Sequence, residues 1–368
     1  MKRIINRILL FLLFVFIIGA SSITFADDLS LTVVYSSNTL GELEAGCCPE
    51  AGNNGGLARR AFYIKGLKEE VKNLLVLDGG DALAIGLPGN RTEREKARRR
   101  AELVLKIYEK MGYGGLNIGD TDLVLGVEYL KGLQKKLKIP FISANLKSRK
   151  SGRPVFRPFL IKEINGFKIG IMGLLTPEVL PPIAKTMGDY FIDDPVKVAS
   201  DLVKGPLALC DTIIVLAHLD PLEIETLARS IPKSSIIVGG NNRAMEYPRE
   251  IGQSLHVQTD AYGFHMGRLN LTLVKGSSGF KDILPANLTR KYLEEIGKKL
   301  EISRDPEEIK NLHETRETLL DEKRKLPDLK GENTYEHFFI PLHPGMEADP
   351  EIENLISSSR DDLKRPLP

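Results

Sequence analysis

The sequence predicts an α/β fold: two sheets stacked as a sandwich, helices on the outside, and a helical appendage at the C-terminal end. Apolar runs of strand length recur at 31–35, 74–77, 115–118, 141–144, 168–174, 212–217, 235–238, 256–258 and 268–274. Between many of them apolar residues fall at helical spacing, as in Ala61, Ile64, Leu67 and Val71, or Leu103, Ile107 and Met111. Asp194-Pro195 reads as an N-cap followed by Pro at the first helical position, opening a helix towards Cys210. Strands alternating with helices argue for sheets covered by helices. The last two runs have no helix between them and are expected to be antiparallel.

Residues 1–26 stand apart from the fold. Lys2, Arg3 and Arg7 precede an unbroken apolar stretch of 13 residues from Ile8 to Ala20, and Thr24-Phe25-Ala26 offers a small-x-small cleavage site. A membrane span needs roughly 20 apolar residues. The segment therefore reads as a cleaved signal peptide of an exported protein, periplasmic or extracellular, with membrane attachment only if it stays uncleaved. Its removal lowers the formal charge from +2 to −1 by loss of those three cations. A near-neutral chain gives no basis for nucleic-acid binding, which calls for a clustered basic face. The locally basic RTEREKARRR (91–100) opens an amphipathic helix and reads as its solvated side.

The composition shifts after 275. Residues 285–302 are charged and helical, with Leu288, Tyr292, Ile296 and Leu300 on one face. Asp305 as N-cap, Pro306 at the first position and Glu308 at the third restart a second helix carrying Ile309, Leu312, Leu319 and Leu320. Asp349-Pro350 caps a final short helix after the apolar stretch 338–342. The expected division is a signal peptide at 1–26, one α/β domain at 27–275, and a helical hairpin with a C-terminal extension at 276–368. The extension reads either as an appendage packed on the sandwich or as a docking arm.

Six segments carry the functional signal: LTVVYSSNTLGEL (31–43), GGLARRA (55–61), LLVLDGGDAL (74–83), LNIGDTDLVLG (116–126), IVLAHLD (214–220) and IIVGGNNR (236–243). In order and spacing they resemble the N-terminal domain of the 5'-nucleotidase family, a branch of the calcineurin-like metallophosphoesterases. GIMGLLTPE (170–178) and YGFHMGRL (262–269) extend the likeness over roughly 29–274, about two thirds of the chain. The resemblance implies a two-sheet metallophosphoesterase sandwich and a site where two divalent metals share a bridging aspartate.

Carried over position by position, that site is incomplete. The first motif, Asp-x-His in the family, reads Asn38-Thr39-Leu40. The bridging aspartate matches Asp81. The family's Gly-Asn-His-Glu reads Gly119-Asp120-Thr121-Asp122, so Thr121 stands where a proton-donating or phosphate-contacting His is expected. His218 matches a histidine ligand, and Gly-His-x-His reads Gly240-Asn241-Asn242-Arg243. The first metal would meet Asn38, Leu40, Asp81 and Arg243, and a permanently charged guanidinium cannot ligate. Arg243 is expected to replace that metal as a charge surrogate paired with Asp81. The second metal would meet Asp81, Asp120, His218 and Asn241, an oxygen-rich set suited to one Mg²⁺, Mn²⁺ or Ca²⁺. Asp122 is a reserve ligand if its segment is extended. Alternatively, His218 and Asp120 are hydrogen-bonded remnants.

Of three cysteines, Cys210 reads as an inert core thiol, whereas Cys47 and Cys48 are adjacent in a Gly/Pro loop. That loop resembles a cysteine-bearing subset of these exported domains associated with multihaem c-type cytochromes, which implies an exported redox partner of that kind. No Cys-x-x-Cys-His occurs, so no haem is expected in this chain. The pair could form a labile adjacent disulfide, supply thiolates to a soft metal or sulfur substrate, or be incidental to the loop. Arg59, Arg60 and Arg243 are candidates to lower a thiol pKa, although helix geometry turns at least one of Arg59 and Arg60 away. The leading expectation is a redox- or sulfur-linked accessory protein with Cys47 and Cys48 as the reactive residues. The alternatives are a single-metal phosphohydrolase and a non-catalytic docking module.

Overall fold

The computed structural model describes residues 28–46, 52–179, 183, 184 and 187–364. The signal segment and the Cys47–Cys48 pair lie outside the described residues. In chain order the strands are β1 (Asp28–Ser36), β2 (Leu74–Asp78), β3 (Gly115–Asn117), β4 (Phe141–Ile142), β5 (Leu146–Ser148), β6 (Phe159–Ile164), β7 (Phe167–Leu175) and β8 (Tyr190–Ile192). They continue with β9 (Thr212–His218), β10 (Ser235–Gly239), β11 (Glu246–Ile251), β12 (Ser254–Gln258), β13 (His265–Val274), β14 (Lys281–Asp282) and β15 (Thr334–Pro341). The helices are α1 (Leu57–Glu70), α2 (Arg91–Met111), α3 (Val127–Lys136), α4 (Pro195–Lys204), α5 (Pro221–Ser230), α6 (Leu284–Ile302), α7 (Pro306–Lys325) and α8 (Pro350–Lys364).

Two large sheets face each other. One has seven strands in the order β14-β15-β13-β1-β2-β3-β4, the other six in the order β11-β12-β10-β9-β7-β6, and β5 and β8 pair separately. Strands such as β9 (TIIVLAH) and β10 (SIIVG) are buried throughout, as expected of parallel strands covered on both faces. Three apolar layers follow. Val33, Tyr35, Leu77, Ile214, Val238 and Leu269 fill the space between the sheets. Leu57, Ile64, Val104, Ile107, Leu130 and Ile356 pack helices onto the first sheet. Val198, Leu207, Cys210, Leu227 and Ile237 pack helices onto the second, so Cys210 is a buried free thiol. The fold is thus a helix–sheet–sheet–helix sandwich.

The last two predicted strands differ from the expectation of a direct antiparallel pair. Strand β12 lies parallel to β10 in the second sheet, while β13 runs antiparallel to β1 and β15 in the first. The chain crosses between sheets over 259–264, where Ser37 Oγ and Thr259 Oγ1 meet at 3.2 Å. Asp194 caps α4 through the N–H groups of Val196 and Lys197, and the helix stops at Gly205-Pro206 before reaching Cys210. Residues beyond 275 contribute strands as well as helices. The whole of strand β15 pairs with β13, from His265↔Pro341 to Thr272↔Thr334, and Ile352 and Ile356 of α8 are buried. The α6–α7 hairpin keeps Leu288 and Tyr292 exposed, and no side chain of α7 is buried. Among the described residues, no helix is long and apolar enough to cross a membrane.

Candidate metal centre

The parallel strands of both sheets end on one edge, and variable turns gather there as they do in open α/β sheets. After β2 the chain makes a tight turn at Gly79-Gly80-Asp81, with Gly80 at φ 117° and Asp81 itself left-handed at φ 56°. A non-glycine residue takes that conformation at a cost and needs external support. Asp122 supplies it: its buried carboxylate accepts from Asp81 N at 3.1 Å, Leu83 N at 2.8 Å and Gly119 N at 2.9 Å. A Cβ on Gly119 would stand 2.0 Å from Asp81 Oδ1, so only glycine lets the two turns approach. Asp81 Oδ1 also accepts the Thr121 N–H at 2.9 Å.

His218, the last residue of β9, meets this turn from the opposite sheet. Its Nε2 lies 3.2 Å from Asp120 Oδ1 and 3.9 Å from Asp81 Oδ1. One ligand atom from each of the three residues falls within 4.8 Å of the others. His218 and Asp81 are buried, while the Asp120 side chain is 18% exposed, so the cluster can be reached from solvent. Asn38, at φ 51°, borders it: its N–H bonds Gly80 O at 2.9 Å and its Nδ2 bonds Asn242 O at 3.2 Å. Its buried Oδ1 has no partner among the described residues. Asn241 is half-buried in the next turn, where Gly240 N–H bonds the carbonyl of Ala217, immediately before His218.

Comparison with known proteins places this edge in context. No family model matches the sequence. The chain is 25% identical over 320 residues to a snake venom 5'-nucleotidase of Naja atra, covering 76% of this chain and 58% of that one. It is 25% identical over 300 residues to Protein UshA of Escherichia coli, covering 70% and 52%. A Salmonella typhimurium 2',3'-cyclic-nucleotide 2'-phosphodiesterase/3'-nucleotidase is 28% identical over 180 residues, covering 44% of this chain and 27% of that one. The structure of a 5'-nucleotidase precursor from Thermus thermophilus superposes with a TM-score of 0.62 at 20% identity, over 91% of this chain and 59% of that one. A calcineurin-like phosphoesterase from Bacillus subtilis does so with 0.61 at 16% identity, over 91% and 98%. The fold is that of the 5'-nucleotidases. The chain spans between 27% and 58% of the length of those three curated relatives.

The donor set at this edge fits one divalent cation. Two carboxylates and an imidazole are hard-to-borderline ligands, and the unpartnered Asn38 Oδ1 adds an oxygen at the border. Their ionisation leans the same way. Burial, reinforced by the Asp120 charge, pushes Asp81 up to about 6. Burial acts against the His218 charge, but Asp81 and Asp120 outweigh it and raise its pKa. Burial also works against the Asp120 charge, yet the His218 hydrogen bond overrides it and lowers that pKa. Two carboxylates packed around one imidazole are an anionic nest that a cation relieves.

The other expected site residues fall elsewhere. Arg243 is exposed and forms no ion pair with Asp81 among the described residues, because the turn after β10 points it to solvent while Asp81 is held inward by Thr121. Leu40 is fully buried, and the Thr121 hydroxyl donates to Ala84 O at 2.9 Å. Asp122 faces backbone N–H groups because its segment forms a one-turn helix, Asp122–Leu125, instead of extended chain. Cys47 and Cys48 lie outside the described residues. Arg59 bonds Asn53 O and Gly55 O, whereas Arg60 points into the core and bonds four hydroxyl groups. That inner cluster, with Asp78, Tyr108 and Tyr113, escapes a reading of the sequence. Its one signal is an arginine on the apolar face of α1, next to Ala61 and Ile64.

Proposed function

We propose that this protein is an exported phosphoester hydrolase working with a single divalent cation, Mg²⁺, Mn²⁺ or Ca²⁺, held by Asp81, Asp120 and His218. The observation that carries this reading is the approach of those three ligand atoms to within 4.8 Å at the strand-end edge. The names of the relatives add the chemistry of phosphate esters. Because the chain spans only part of those relatives, the ester bond is carried over and the nucleoside is not. One cation, not two, follows from Leu40, whose buried side chain offers no donor, and from Arg243 facing solvent.

A cation in this nest supplies Lewis-acid polarisation of a phosphoryl group and makes water more acidic. The chain's own groups supply the rest. Asp122 fixes the backbone of the Asp81 turn through the N–H groups of Asp81 and Leu83 and ties it to the Gly119 turn through a third, and Thr121 N–H aims the Asp81 carboxylate. Asp120, on the open side, orients Nε2 of His218. Binding the cation requires His218 to give up a proton, so uptake is coupled to pH. The redox reading centred on Cys47 and Cys48 rests on residues outside those described, and the geometry supports the hydrolytic alternative instead.

The test is hydrolysis of 4-nitrophenyl phosphate and its bis-ester by purified protein titrated with Mn²⁺. Turnover should saturate at one Mn²⁺ per chain and vanish in Asp81→Ala. Absence of turnover with every metal, or turnover untouched by Asp81→Ala, overturns the reading.

A further inference from the structure

Three residues before Asp81, Asp78 anchors a second polar cluster that is closed to solvent: Ser36, Thr39, Arg60, Asp78, Tyr108 and Tyr113 are all buried. Its hydroxyl protons can be assigned in turn. Tyr108 Oη donates to Asp78 Oδ2 at 3.0 Å, so in its 2.8 Å contact with Thr39 the threonine is the donor. Ser36 Oγ donates to the same carboxylate oxygen at 2.7 Å, so in its 2.8 Å contact with Tyr113 the phenol is the donor. Two hydroxyl chains, Thr39–Tyr108 and Tyr113–Ser36, therefore converge on one oxygen of Asp78. Arg60 Nη1 sits among the four hydroxyls at 2.8 to 3.4 Å and shares its two hydrogens between them. The other Asp78 oxygen accepts Gly80 N–H at 2.9 Å.

This cluster grips both turns of the metal centre. Thr39 lies between Asn38 and Leu40, which are left-handed at φ 51° and 56°. Their N–H groups bond Gly80 O at 2.9 Å and Asp81 O at 2.8 Å. The Tyr108 hydroxyl touches Thr39 of one turn and Asp78, at the base of the other. We propose that Tyr108, held by Arg60, is a positioning residue for the metal centre, locking the Asn38 turn to the Asp81 turn so that Asp81 faces Asp120 and His218. It acts through Thr39 and Asp78, and the proposal rests on the single-cation reading above.

Tyr108→Phe deletes only the hydroxyl and keeps the ring stacked on Tyr113 at 3.9 Å. Tyr113→Phe deletes a hydroxyl of the same cluster that bonds Ser36 at the end of β1 and neither turn. Calorimetric Mn²⁺ binding and metal-free urea unfolding are measured on the full chain. Tyr108→Phe should weaken Mn²⁺ affinity about 10-fold, the low end of the loss caused by removing a direct outer partner of a ligand, because Tyr108 stands one residue further out. Tyr113→Phe should weaken it by less than about 3-fold while unfolding at a similar urea concentration. Should Tyr108→Phe not fold, Thr39→Val removes the donor to the same oxygen and should give the same loss of affinity. Unchanged affinity in Tyr108→Phe or Thr39→Val, or an equal loss in Tyr113→Phe, overturns the proposal and leaves the cluster a packing device. A wild-type chain that binds no Mn²⁺ defeats the metal reading itself, and the two failures are distinguishable.

Discussion

Asp78 and Asp81 stand on one turn, three residues apart and both buried, yet their surroundings are opposite in kind. Asp78 receives hydrogen bonds from Ser36, Tyr108 and Gly80, with the Arg60 guanidinium beside it. Asp81 receives one backbone N–H, from Thr121, and otherwise faces His218 and a second carboxylate, Asp120. Burial raises both acids, and at Asp78 those four partners pull against it. Burial alone therefore does not distinguish a structural acid from a chemical one. The partners do: a carboxylate whose lone pairs are met by fixed donors holds a fold together, and one set against a like charge is poised for a cation.

The largest effect should come from removing the open acid. Asp81→Ala should cut phosphoester turnover on the order of 1,000-fold or more and reduce Mn²⁺ stoichiometry from one to none, with far-ultraviolet circular dichroism unchanged. Retained stoichiometric binding would erase the contrast between the two acids. The closed cluster should respond in stability instead. Arg60→Met leaves Asp78 buried without its cation and should cost about 3–5 kcal/mol in urea unfolding. A loss below about 1 kcal/mol would show that the hydroxyl chains alone satisfy Asp78.

Acidity sharpens the contrast further. Asp81, held up at about 6, and His218, with its pKa raised, must both lose protons before a cation binds, so Mn²⁺ affinity should climb as pH rises through and beyond 6. Stability follows other groups. Burial, helped at His256 by Arg249, depresses His256 and His337 from 6.5 to about 4. The unfolded chain takes up these protons first, so stability from this source is complete above pH 6.5 and lost as pH falls towards 4, by about 3 kcal/mol for His256. Asp78, Asp81, Asp122 and His218 oppose this trend because their folded-state pKa values are raised, so the histidine contribution is read as the difference between wild type and His256→Gln. A urea midpoint that changes between those pH values equally in both proteins contradicts the assignment. The smallest effect belongs to α7: Lys310, 76% exposed and 4.0 Å from Glu314, should change stability by less than about 0.5 kcal/mol on replacement by Ala.

Much of the sandwich was legible because its central strands are covered on both faces and appear as continuous apolar runs, as in β7, β9 and β10. The edge strands were not. Strand β11 (EYPREI) and strand β6 (FLIKEI) are polar and half-exposed, and neither carries a run long enough to stand out. Asp81, Asp120 and His218 were legible because each stands at or just after the end of a strand inside a recognisable motif. The outward turn of Arg243 was not, since nothing in Asn241-Asn242-Arg243 fixes a direction until Asn242 O is taken by Asn38 and Gln258. The Asp78 cluster was hidden for another reason. Its six members come from β1 and the turn after it, α1, β2, α2 and the turn after α2, and no spacing pattern ties them together.

The pairing of β1 with β13, in register from Asp28↔Val274, and of β13 with β15 has a consequence for how the chain acquires its shape. The middle of the seven-stranded sheet joins the start of the described chain to a strand near its far end. Loop-closure entropy must be met before that contact yields any return, so folding should be slow and dominated by non-local pairing. Until residues 265–341 emerge, β1 has a partner on one side only, and its other edge of unpaired N–H and C=O groups waits open to other chains. The nascent polypeptide thus passes through a long interval in which keeping that edge from other chains decides between native closure and aggregation.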